Sequence, residues 1–453
     1  ITGSANITDM DDDAKKFPII PKTETGTTLN TVNVSSDVSG VFKLKDRFDR
    51  ITTGTANFKI VKFSGVSDSY PVFNEEITLS GKFFSGLNAS FQNETGKVIS
   101  GEFQETISVT GAGGSIGSEL CKSIIKLKPT LLILFEQNEF NLYKLEKELL
   151  KDNIFEKNLI TILGSCLDKN ITTGIFERYK IDTIFHAAAY KHVPLVEVNP
   201  LAGIKNNVYS TKLICEMAKN YNVNKFVLIS TDKAVRPTSV MGASKRLSEL
   251  IVQGYANKLK SLVSEEKKYT NFSMVRFGNV LGSSGSVMPL FKKQISEGGP
   301  ITLTHPDIIR YFMSISEAVE LVLQASTLTK DGGEIFLLDM GDPIKIKDLA
   351  KLMIELAGLK IKDKNNPNGD IEIVCTGLRK GEKLYEELLI NGDSISTENP
   401  LIFIANDYSL KNEFLFSKLD VLEDSIKKQD LENSLLVLSD LVREWKNESV
   451  YDN

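Results

Sequence analysis

The feature that most constrains the fold of this chain is a glycine-rich turn between a short apolar strand and an amphipathic helix. Residues 106–110 carry β-forming side chains, the turn reads Gly111-Ala-Gly-Gly-Ser-Ile-Gly117, and an amphipathic segment follows over 118–127. A strand, a glycine turn and a helix in this order form a phosphate-binding loop, because the helix N-terminus faces negative charge. The pattern therefore predicts a dinucleotide site.

Each glycine of the turn has a predicted role. Gly111 permits the tight turn, Gly114 lets the backbone approach a pyrophosphate, and Gly117 lets the helix pack closely against the strand. Ser115 and Ile116 stand at the start of the helix and are further cofactor-binding candidates.

An acidic residue ends the next apolar strand. Residues 131–135 are apolar, and Glu136 follows, 19 residues beyond Gly117. A carboxylate here accepts hydrogen bonds from the adenosine ribose and repels a 2′-phosphate. No Arg or Lys lies between Glu136 and Tyr143 to bind such a phosphate. The sequence favours NAD over NADP, with Asn138 as a further contact; the alternative is a solvated acid at a strand end.

From residue 106 the chain alternates strands and helices, which indicates an α/β protein with a Rossmann-type, doubly wound parallel sheet. Strands are predicted at 106–110, 131–135, 159–163, 182–186, 225–230 and 272–277. Short strands and helices after Gly282 predict a smaller C-terminal substrate-binding lobe. The expected catalytic domain is 106–453, with NAD binding mainly at 106–280, the lobe mainly at 281–410 and C-terminal helices at 411–453.

Residues 1–105 have a different composition. They are rich in Ser, Thr, Gly and Asn, with short alternating runs such as 58–63 and 76–79. This pattern predicts a small β-containing region or a linker. No chemistry is assigned to it.

Composition and spacing exclude several classes of protein. The net charge of −5 gives no basic field for nucleic acid. Four scattered cysteines without a Cys-x-x-Cys pair predict reduced thiols, and His186, His192 and His305 lack metal-ligand spacing, so no metal is expected. No apolar run reaches 18 residues, so we expect no direct membrane insertion by these residues.

Six ordered motifs carry a resemblance to a known family. They include His186-Ala-Ala-Ala-Tyr-Lys-His-Val-Pro194 and Arg276-Phe-Gly-Asn-Val-Leu-Gly-Ser-Ser-Gly-Ser286, and all six lie at 111–120, 186–194, 231–245, 276–286, 304–313 and 377–387. Over about residues 106–389 the chain resembles the UDP-N-acetylglucosamine 4,6-dehydratases of bacterial polysaccharide and glycan biosynthesis, which are extended short-chain dehydrogenases/reductases.

One substitution decides which branch the chain resembles. In extended reductases a Tyr and a Lys four residues apart work beside the nicotinamide; here Lys245 is present, but Met241 stands in place of the Tyr. A thioether cannot exchange a proton. Either the site is inactive or Thr231, Asp232 and Lys233 carry the acid–base chemistry. The long, membrane-anchored branch also carries Met, which favours an active enzyme.

The resemblance implies a location and an assembly. It implies a cytoplasmic catalytic part whose full-length parent is anchored in the inner membrane. Helices near 200–220 and 240–260 are the usual dimer-forming pair in this fold, so a homodimer or higher homo-oligomer is expected.

The resemblance also implies catalytic roles. NAD oxidises C4 of the sugar, water is eliminated across C5 and C6, and hydride returns to C6. Thr231 binds the C4 oxygen and Asp232 protonates the leaving C6 hydroxyl. Lys233 takes the C5 proton, provided that burial and nearby cations lower its pKa. Lys245 binds the nicotinamide ribose and helps move the C4 hydroxyl proton, which either Asp232 or Lys245 accepts first. Met241 packs over the sugar or nicotinamide. Retention at C5 is expected.

The remaining candidates fall into two groups. For the cofactor they are Asp168, which either accepts from adenine or caps a helix starting near Ile171, the small residues Ala187, Ala188 and Ala189, and Ser230. For UDP-N-acetylglucosamine they are Lys191, Asn279, Ser283, Ser286, Arg310, Arg379 and Glu382, the two arginines as diphosphate clamps.

Two other functions stay open. A nucleotide-sugar 4-epimerase uses the same cofactor, but it normally needs the Tyr and has no use for an adjacent Asp-Lys pair. A non-catalytic NAD- or UDP-sugar-binding regulator would explain Met241 as a lost active site. The joint presence of Thr231, Asp232, Lys233 and Lys245 argues against that loss.

Overall fold

The chain divides into two compact units, Ile1–Phe103 and Gln104–Asn453. The structure, a computed structural model, describes residues 105–151, 156–261, 269–388 and 394–445, together with short strands in the first unit. Those strands are Ser4–Asn6, Ile20–Lys22, Asp37–Lys45, Ile51–Lys59, Phe63–Ser67, Tyr70–Phe73, Thr78–Ser80, Phe91–Gln92 and Val98–Ile99. A β-containing first region is thus present, as predicted.

The second unit is built on many short strands, most of them no longer than six residues. They are β1 Thr106–Thr110, β2 Leu131–Glu136, β3 Leu159–Leu163, β4 Thr183–His186, β5 Lys225–Ile229, β6 Asn271–Arg276, β7 Asn279–Val280, β8 Ile301–Leu303, β9 Ile309–Arg310, β10 Phe312–Met313, β11 Glu334–Leu338, β12 Ile344–Lys345, β13 Ile361–Lys362, β14 Ile371–Cys375, β15 Ser394–Ser396 and β16 Ile402–Ala405.

The helices of the same unit lie between and after these strands. They are α1 Ser115–Lys126, α2 Glu139–Leu149, α3 Lys169–Arg178, α4 Val193–Val198, α5 Pro200–Ile204, α6 Ser210–Asn220, α7 Val240–Lys260, α8 Val287–Ser296, α9 Ile315–Leu328, α10 Ile346–Leu356, α11 Asn412–Lys427 and α12 Leu431–Leu441. Short 3₁₀ turns occur at Glu156–Asn158 and Asp232–Ala234, and one π turn at Lys205–Tyr209.

The main sheet has the order β3-β2-β1-β4-β5-β6-β11-β16-β15. The first seven strands are parallel, and β16 and β15 continue antiparallel at one edge. Strands such as β1, β2 and β5 are almost wholly buried, because helices cover both faces of the sheet. The predicted α/β Rossmann-type fold is confirmed. Strand order reverses between β1 and β4, which places a crevice at the carboxyl ends of these strands.

A smaller lobe follows β6, as predicted. Strands β8, β14 and β13 form a parallel three-stranded sheet, and β9 pairs with β12. The core of this lobe is built from side chains of α8, α10 and these strands, namely Phe291, Ile301, Leu303, Ile308, Ile346, Ala350, Ile354 and Ile371. The lobe therefore has an apolar core separate from that of the main sheet.

Helix α7 lies at the centre of the second unit. Every residue from Val240 to Ala256 is buried, since strand β6 and helices α4, α5, α6, α11 and α12 all pack against α7. The Tyr255 and Phe416 rings meet edge to face at 5.4 Å, and the Tyr209 hydroxyl donates to the Leu419 carbonyl at 2.9 Å. The helix pair predicted to form a dimer is thus covered within the chain. A homo-oligomer stays a prediction.

A buried ionic cluster fastens α7 to the sheet and to the C-terminal segment. The Arg276 guanidinium lies 2.6 Å from both Glu249 and Asp407, and Arg246 donates to Glu249 at 3.1 Å. All four side chains are at most 2% exposed. The pKa of Glu249 is about 2, because Arg276 and Arg246 outweigh the rise that burial alone would cause.

Other features concern thiols, metals and membranes. Cys121, Cys166, Cys215 and Cys375 are free, and the first three are buried. The described ranges contain no group of three His, Cys, Asp or Glu side chains placed to hold a metal ion. None of the helices in those ranges is both long enough and apolar enough to cross a bilayer.

The buried cluster yields a stability prediction. Arg276→Met leaves two buried carboxylates short of a cation, so the free energy of unfolding should fall by about 3–5 kcal/mol in urea titrations followed by circular dichroism. The matched control is Lys418→Met, which removes a partly exposed pair with Asp440 and should cost at most about 1 kcal/mol. Equal losses in the two variants would contradict the importance given to burial.

Candidate active site

A cavity of about 900 Å³ lies at the carboxyl ends of the parallel strands. It brings together most of the residues that the sequence predicts: Gly114, Ser115, Ile116, Gly117, Ala187, Ala189, Lys191, Ser230, Thr231, Lys233, Met241, Lys245, Asn279, Ser283, Ser286, Arg310, Arg379 and Glu382. Predicted residues outside its lining are Gly111, Glu136, Asn138, Asp168, Ala188 and Asp232.

The glycine turn is built as predicted from the sequence. Gly111 has a φ of +65°, and a Cβ on it would lie 2.7 Å from the Ala188 backbone. A Cβ on Gly117 would overlap the Gly111 carbonyl oxygen. Helix α1 begins after Gly114 without a side-chain cap and without an acidic residue in its first turn. Its first N–H groups therefore remain available to an anion in the cavity.

Glu136 is joined to this turn at the end of β2. Its two carboxylate oxygens accept hydrogen bonds from the backbone N–H groups of Gly113 at 2.9 Å and Asn138 at 2.8 Å. The residue is 8% exposed, so its carboxylate is fixed in position. Asn138 itself caps α2 by accepting from the Asn141 N–H.

Asp168 acts in the structure as a helix cap. Its carboxylate accepts from the backbone N–H groups of Asn170 at 2.9 Å and Ile171 at 3.1 Å, and α3 begins at the next residue. This is the alternative that the sequence left open, and the contact with adenine stays a prediction.

The acidic and basic residues after β5 form a compact hydrogen-bonded turn. The Thr231 hydroxyl and the Lys233 ammonium both donate to one oxygen of Asp232, at 2.9 and 3.0 Å. Asp232 is fully buried, and its other oxygen has no hydrogen-bond partner in the described structure. Thr231 and Lys233 line the cavity in front of it.

The expected lowering of the Lys233 pKa is wrong. Burial does lower this pKa, but the charges of Asp232 and Glu386 and the hydrogen bond with Asp232 outweigh it, so the pKa lies above its usual value. Glu386, on the small lobe, lies 3.5 Å from the Lys233 ammonium. Lys233 also donates to the Asn279 side chain at 3.2 Å. The resting site therefore holds Lys233 as an ammonium ion.

Lys245 has the opposite electrostatic environment. Its ammonium donates to the Ile229 carbonyl at 2.7 Å, and burial lowers its pKa to about 8, against the opposing influence of Glu249. Ser230 donates to Glu249 at 2.6 Å. Met241 is 3% exposed and lines the cavity one helical turn before Lys245.

Lys191 follows β4 in a segment that is fixed by hydrogen bonds to the Asn207 side chain. The Asn207 side chain accepts from the Tyr190 N–H at 2.7 Å and donates to the Tyr190 carbonyl at 3.0 Å and the Ser244 hydroxyl at 2.9 Å. Burial, and then the charge of Lys233, lower the Lys191 pKa. Lys191, whose pKa is lowered, therefore lies in the same cavity as Lys233, whose pKa is raised.

The Gly- and Ser-rich loop after β7 forms one wall of the cavity. Ser286 precedes α8, and its hydroxyl has no hydrogen-bond partner within the described ranges. The Ser284 N–H donates to the Ser115 hydroxyl at 3.1 Å. This bond joins the loop to the glycine turn on the opposite wall.

The predicted diphosphate clamps differ in their surroundings. Arg310 is 8% exposed and donates to the carbonyls of Ile309 at 2.7 Å and Lys383 at 2.8 Å, so most of its donors serve the small lobe. Arg379 is exposed, and its backbone N–H donates to Glu382. Glu382 also accepts from Thr304. The roles of these three residues toward a ligand stay predictions.

Several residues of the site are missed by the sequence analysis, and three of them lie beside the predicted lysines. His192 and Tyr190 line the cavity beside Lys191, and Glu386 lies behind Lys233. All three belong to motifs that carried the resemblance. Sequence alone offered no means to choose Glu386 over the neighbouring Glu387.

The sheet order, the glycine turn and the lysine-bearing helix beside a strand-end cavity define an extended short-chain dehydrogenase/reductase. Within this class the chain belongs to the polysaccharide biosynthesis protein family, whose pattern matches residues 107–406.

Several named relatives are similar to the chain. The capsular polysaccharide biosynthesis protein CapD of Staphylococcus aureus is 49% identical over 63% of this chain, which spans 45% of that relative's length. A UDP-N-acetylglucosamine 4,6-dehydratase (inverting) of Campylobacter jejuni is 30% identical over 76% of this chain and 95% of the relative. A UDP-glucose 4-epimerase of Rickettsia canadensis is 32% identical over 65% of this chain and 80% of the relative.

Among solved structures, Pen from Bacillus thuringiensis is 29% identical with a TM-score of 0.58, covering 72% of this chain and 98% of that one.

Opposite effects are expected from alanine at two helical glycines. Gly117→Ala forces a methyl group against the Gly111 carbonyl and should cost roughly 1–3 kcal/mol of stability. Gly174→Ala in α3 meets nothing within 4 Å and should add about 0.5–1 kcal/mol. Melting temperatures of the two variants should move in opposite directions; a stable Gly117→Ala variant would contradict the close packing of the turn.

Proposed function

We propose that the protein is an NAD-dependent UDP-N-acetylglucosamine 4,6-dehydratase that yields a UDP-2-acetamido-2,6-dideoxy-hexos-4-ulose. The observation that carries the proposal is the 3.0 Å hydrogen bond from Lys233, at the cavity wall, to the buried carboxylate of Asp232, with Met241 where a reductase has Tyr. An elimination needs an acid and a base together, whereas oxidation at C4 alone does not. The Campylobacter relative supports the same reaction.

The described residues suit a dinucleotide. The uncapped N-terminus of α1 offers N–H groups to a pyrophosphate, and the fixed carboxylate of Glu136 has lone pairs left for ribose hydroxyls. Ala187 and Ala189 leave room at the strand end. When bound, NAD supplies an acceptor for the C4 hydride and a donor to C6. The chain would then provide only the proton transfers.

Lys245 and Thr231 serve the C4 oxygen in this proposal. Because burial brings its pKa to about 8, Lys245 exchanges a proton near neutral pH and can take up the proton of the C4 hydroxyl, directly or through a ribose hydroxyl. Thr231 lines the cavity and can donate a hydrogen bond to the same oxygen as it becomes a ketone.

Asp232 and Lys233 serve the elimination. Transfer of one proton across their 3.0 Å hydrogen bond converts the resting ion pair into a carboxylic acid and a neutral amine. Lys233 then takes the C5 proton as the C6 hydroxyl leaves with a proton from Asp232. Because Asp232 is buried behind Thr231, protonated Asp232 would donate to the Thr231 oxygen, which reverses the 2.9 Å hydrogen bond of the resting site. The Thr231 hydroxyl would at the same time turn from the C4 oxygen and give its own proton to the C6 oxygen. The ion pair is restored at the end of the step.

The biological setting follows from the family and belongs to the proposal. The product would feed bacterial glycan or polysaccharide synthesis, with catalysis in the cytoplasm and the parent protein anchored to the inner membrane. A 4-epimerase is the second candidate, since the Rickettsia relative bears that name at similar identity. The Met241 side chain argues against an epimerase, because a thioether cannot replace the tyrosine hydroxyl that an epimerase normally uses.

Product analysis in deuterated water tests the proposed function. UDP-N-acetylglucosamine should lose one water by mass, gain deuterium at C5, and deliver a C4 label to C6, because the lysine N–H protons exchange with solvent while a transferred hydride does not. A new isomer of unchanged mass would identify an epimerase, and no change would favour a binding protein. An early NMR spectrum reports C5: retention is expected from the resemblance, and inversion would match the name of the Campylobacter relative.

The division of labour predicts two unequal variants. Lys233→Met should reduce turnover at least about a thousandfold while NAD binding persists, because Lys233 acts on the sugar. Met241→Ala should lose far less, since the thioether moves no proton. Steady-state kinetics and calorimetric NAD titration measure both effects; equal damage from the two changes would refute the packing role of Met241.

Cofactor choice is a separate prediction that rests on Glu136. Cofactor-free protein should bind NAD at least about tenfold more tightly than NADP, or about 1.4 kcal/mol, because the fixed carboxylate repels a 2′-phosphate. Isothermal titration with each cofactor measures the ratio. Equal affinities would remove the role given to Glu136.

A further inference from the structure

Glu386 places a second buried carboxylate beside Lys233. Its side chain is 2% exposed, and one oxygen lies 3.5 Å from the Lys233 ammonium and 3.5 Å from the Arg310 guanidinium. The other oxygen has no hydrogen-bond partner among the described residues. Within those residues, Asp232 and Glu386 are the two carboxylates within 4.0 Å of the Lys233 ammonium.

The small lobe fixes this carboxylate from behind. Arg310 is itself held by the carbonyls of Ile309 and Lys383, so it presents an immobile positive charge to Glu386. The neighbouring Glu387 points elsewhere and pairs with Lys383 at 3.1 Å and with Arg236. Two adjacent glutamates thus face different surroundings, and one of them alone reaches Lys233.

A side cavity of about 260 Å³ adjoins this carboxylate. Lys233, Arg310 and Glu386 line it together with Lys191 and Lys383. Glu386 therefore carries a buried negative charge among several cations, where its interaction with Lys233 is weakly screened. The Glu386 carboxylate therefore stabilises the ammonium form of Lys233 relative to the neutral amine.

We infer that Glu386 is a positioning residue for the elimination: it holds the Lys233 side chain toward the sugar and stabilises the ammonium ion, which is the resting form of Lys233 and is restored when Lys233 takes the C5 proton. The inference rests on the proposed function. In that step the C5–H bond breaks and an N–H bond forms, the electron pair becomes the C5–C6 double bond, and the C6–O bond breaks with a proton from Asp232. No net oxidation occurs, and the charges balance.

Competitive acetylation tests the ion pair without any need for turnover. Full-length protein is treated with acetic anhydride across a pH series, and labelling of Lys233 is read by peptide mass spectrometry. Glu386→Gln removes the negative charge and lowers the Lys233 pKa, so labelling near pH 7 should become at least about tenfold faster. The control Glu387→Gln should label like the wild type. Unchanged labelling in Glu386→Gln would overturn the inference.

Kinetics test the role in catalysis. Glu386→Gln should lower turnover of UDP-N-acetylglucosamine at least about tenfold, move the acid limb of the pH profile to lower pH, and increase the isotope effect from deuterium at C5. A merely structural role would change neither the limb nor the isotope effect. Wild-type values for all three quantities would overturn the inference, and Glu387→Gln should retain them.

Glu386→Asp and the wild-type protein distinguish a failure of the Glu386 inference from a failure of the proposed dehydratase function. If Glu386→Gln fails to fold, Glu386→Asp retains the charge at a shorter reach. Its Lys233 should be labelled faster than that of the wild type, and its turnover should lie between those of the wild type and Lys233→Met; wild-type behaviour would count against the inference. Wild-type protein that releases no water from UDP-N-acetylglucosamine overturns the proposed function and the catalytic role together. The acetylation result then still decides whether Glu386 controls Lys233.

Discussion

The buried cluster around Glu249 is the interaction on which the placement of the site depends. The Glu249 carboxylate accepts hydrogen bonds from Arg276 in the sheet and from Arg246 in its own helix. It also accepts one from the Ser230 hydroxyl, directly after β5. Lys245 lies one turn earlier on the same helix. An isolated charge at such a position would be costly, so the ions hold one another in a single arrangement. The helix cannot slide or rotate without separating them, and Lys245 stays beside the strand end.

A second constraint is the covering of α7 on all sides. Strand β6 and helices α4, α5, α6, α11 and α12 all pack against it. Its residues from Val240 to Ala256 are buried all round, which is typical of a helix in the core of a large domain. The segment that brings Met241 and Lys245 to the cavity is therefore part of the core, whereas Ser283 and Ser286 reach the same cavity from a loop.

The sequence predicts the positions of strands and turns in this protein better than it predicts the pKa values of side chains. The strand positions and the glycine turn follow from side-chain pattern, and Gly111 and Gly117 have the conformation and packing expected of them. The Lys233 pKa is raised where the sequence predicts a lowered one, because Asp232 pairs with it and Glu386 adds a second negative charge. Glu386 belongs to a distant motif whose position depends on the fold of the small lobe. Asp168 shows a similar limit, since one carboxylate pattern serves a helix cap or a ligand equally well.

The covering of α7 shows a third kind of limit. The sequence places helices at the positions expected for a dimer, and the structure has helices there, but the pattern could not reveal that residues near the C-terminus pack on them. Apolar periodicity records that a face is buried and not what buries it. Information of that kind resides in contacts between segments far apart in the chain.

The hydrogen bond between Ser284 and Ser115 has a kinetic consequence. It connects the two walls of the cavity, one carrying the glycine turn and the other the Gly- and Ser-rich loop. A dinucleotide held on the turn would leave freely only after this link opens, so its residence time would follow the opening rate of the loop. Under the proposed function the cofactor returns to its starting redox state in every cycle, so it need not be released. A loop linked to the turn in this way would help one bound molecule to serve many turnovers.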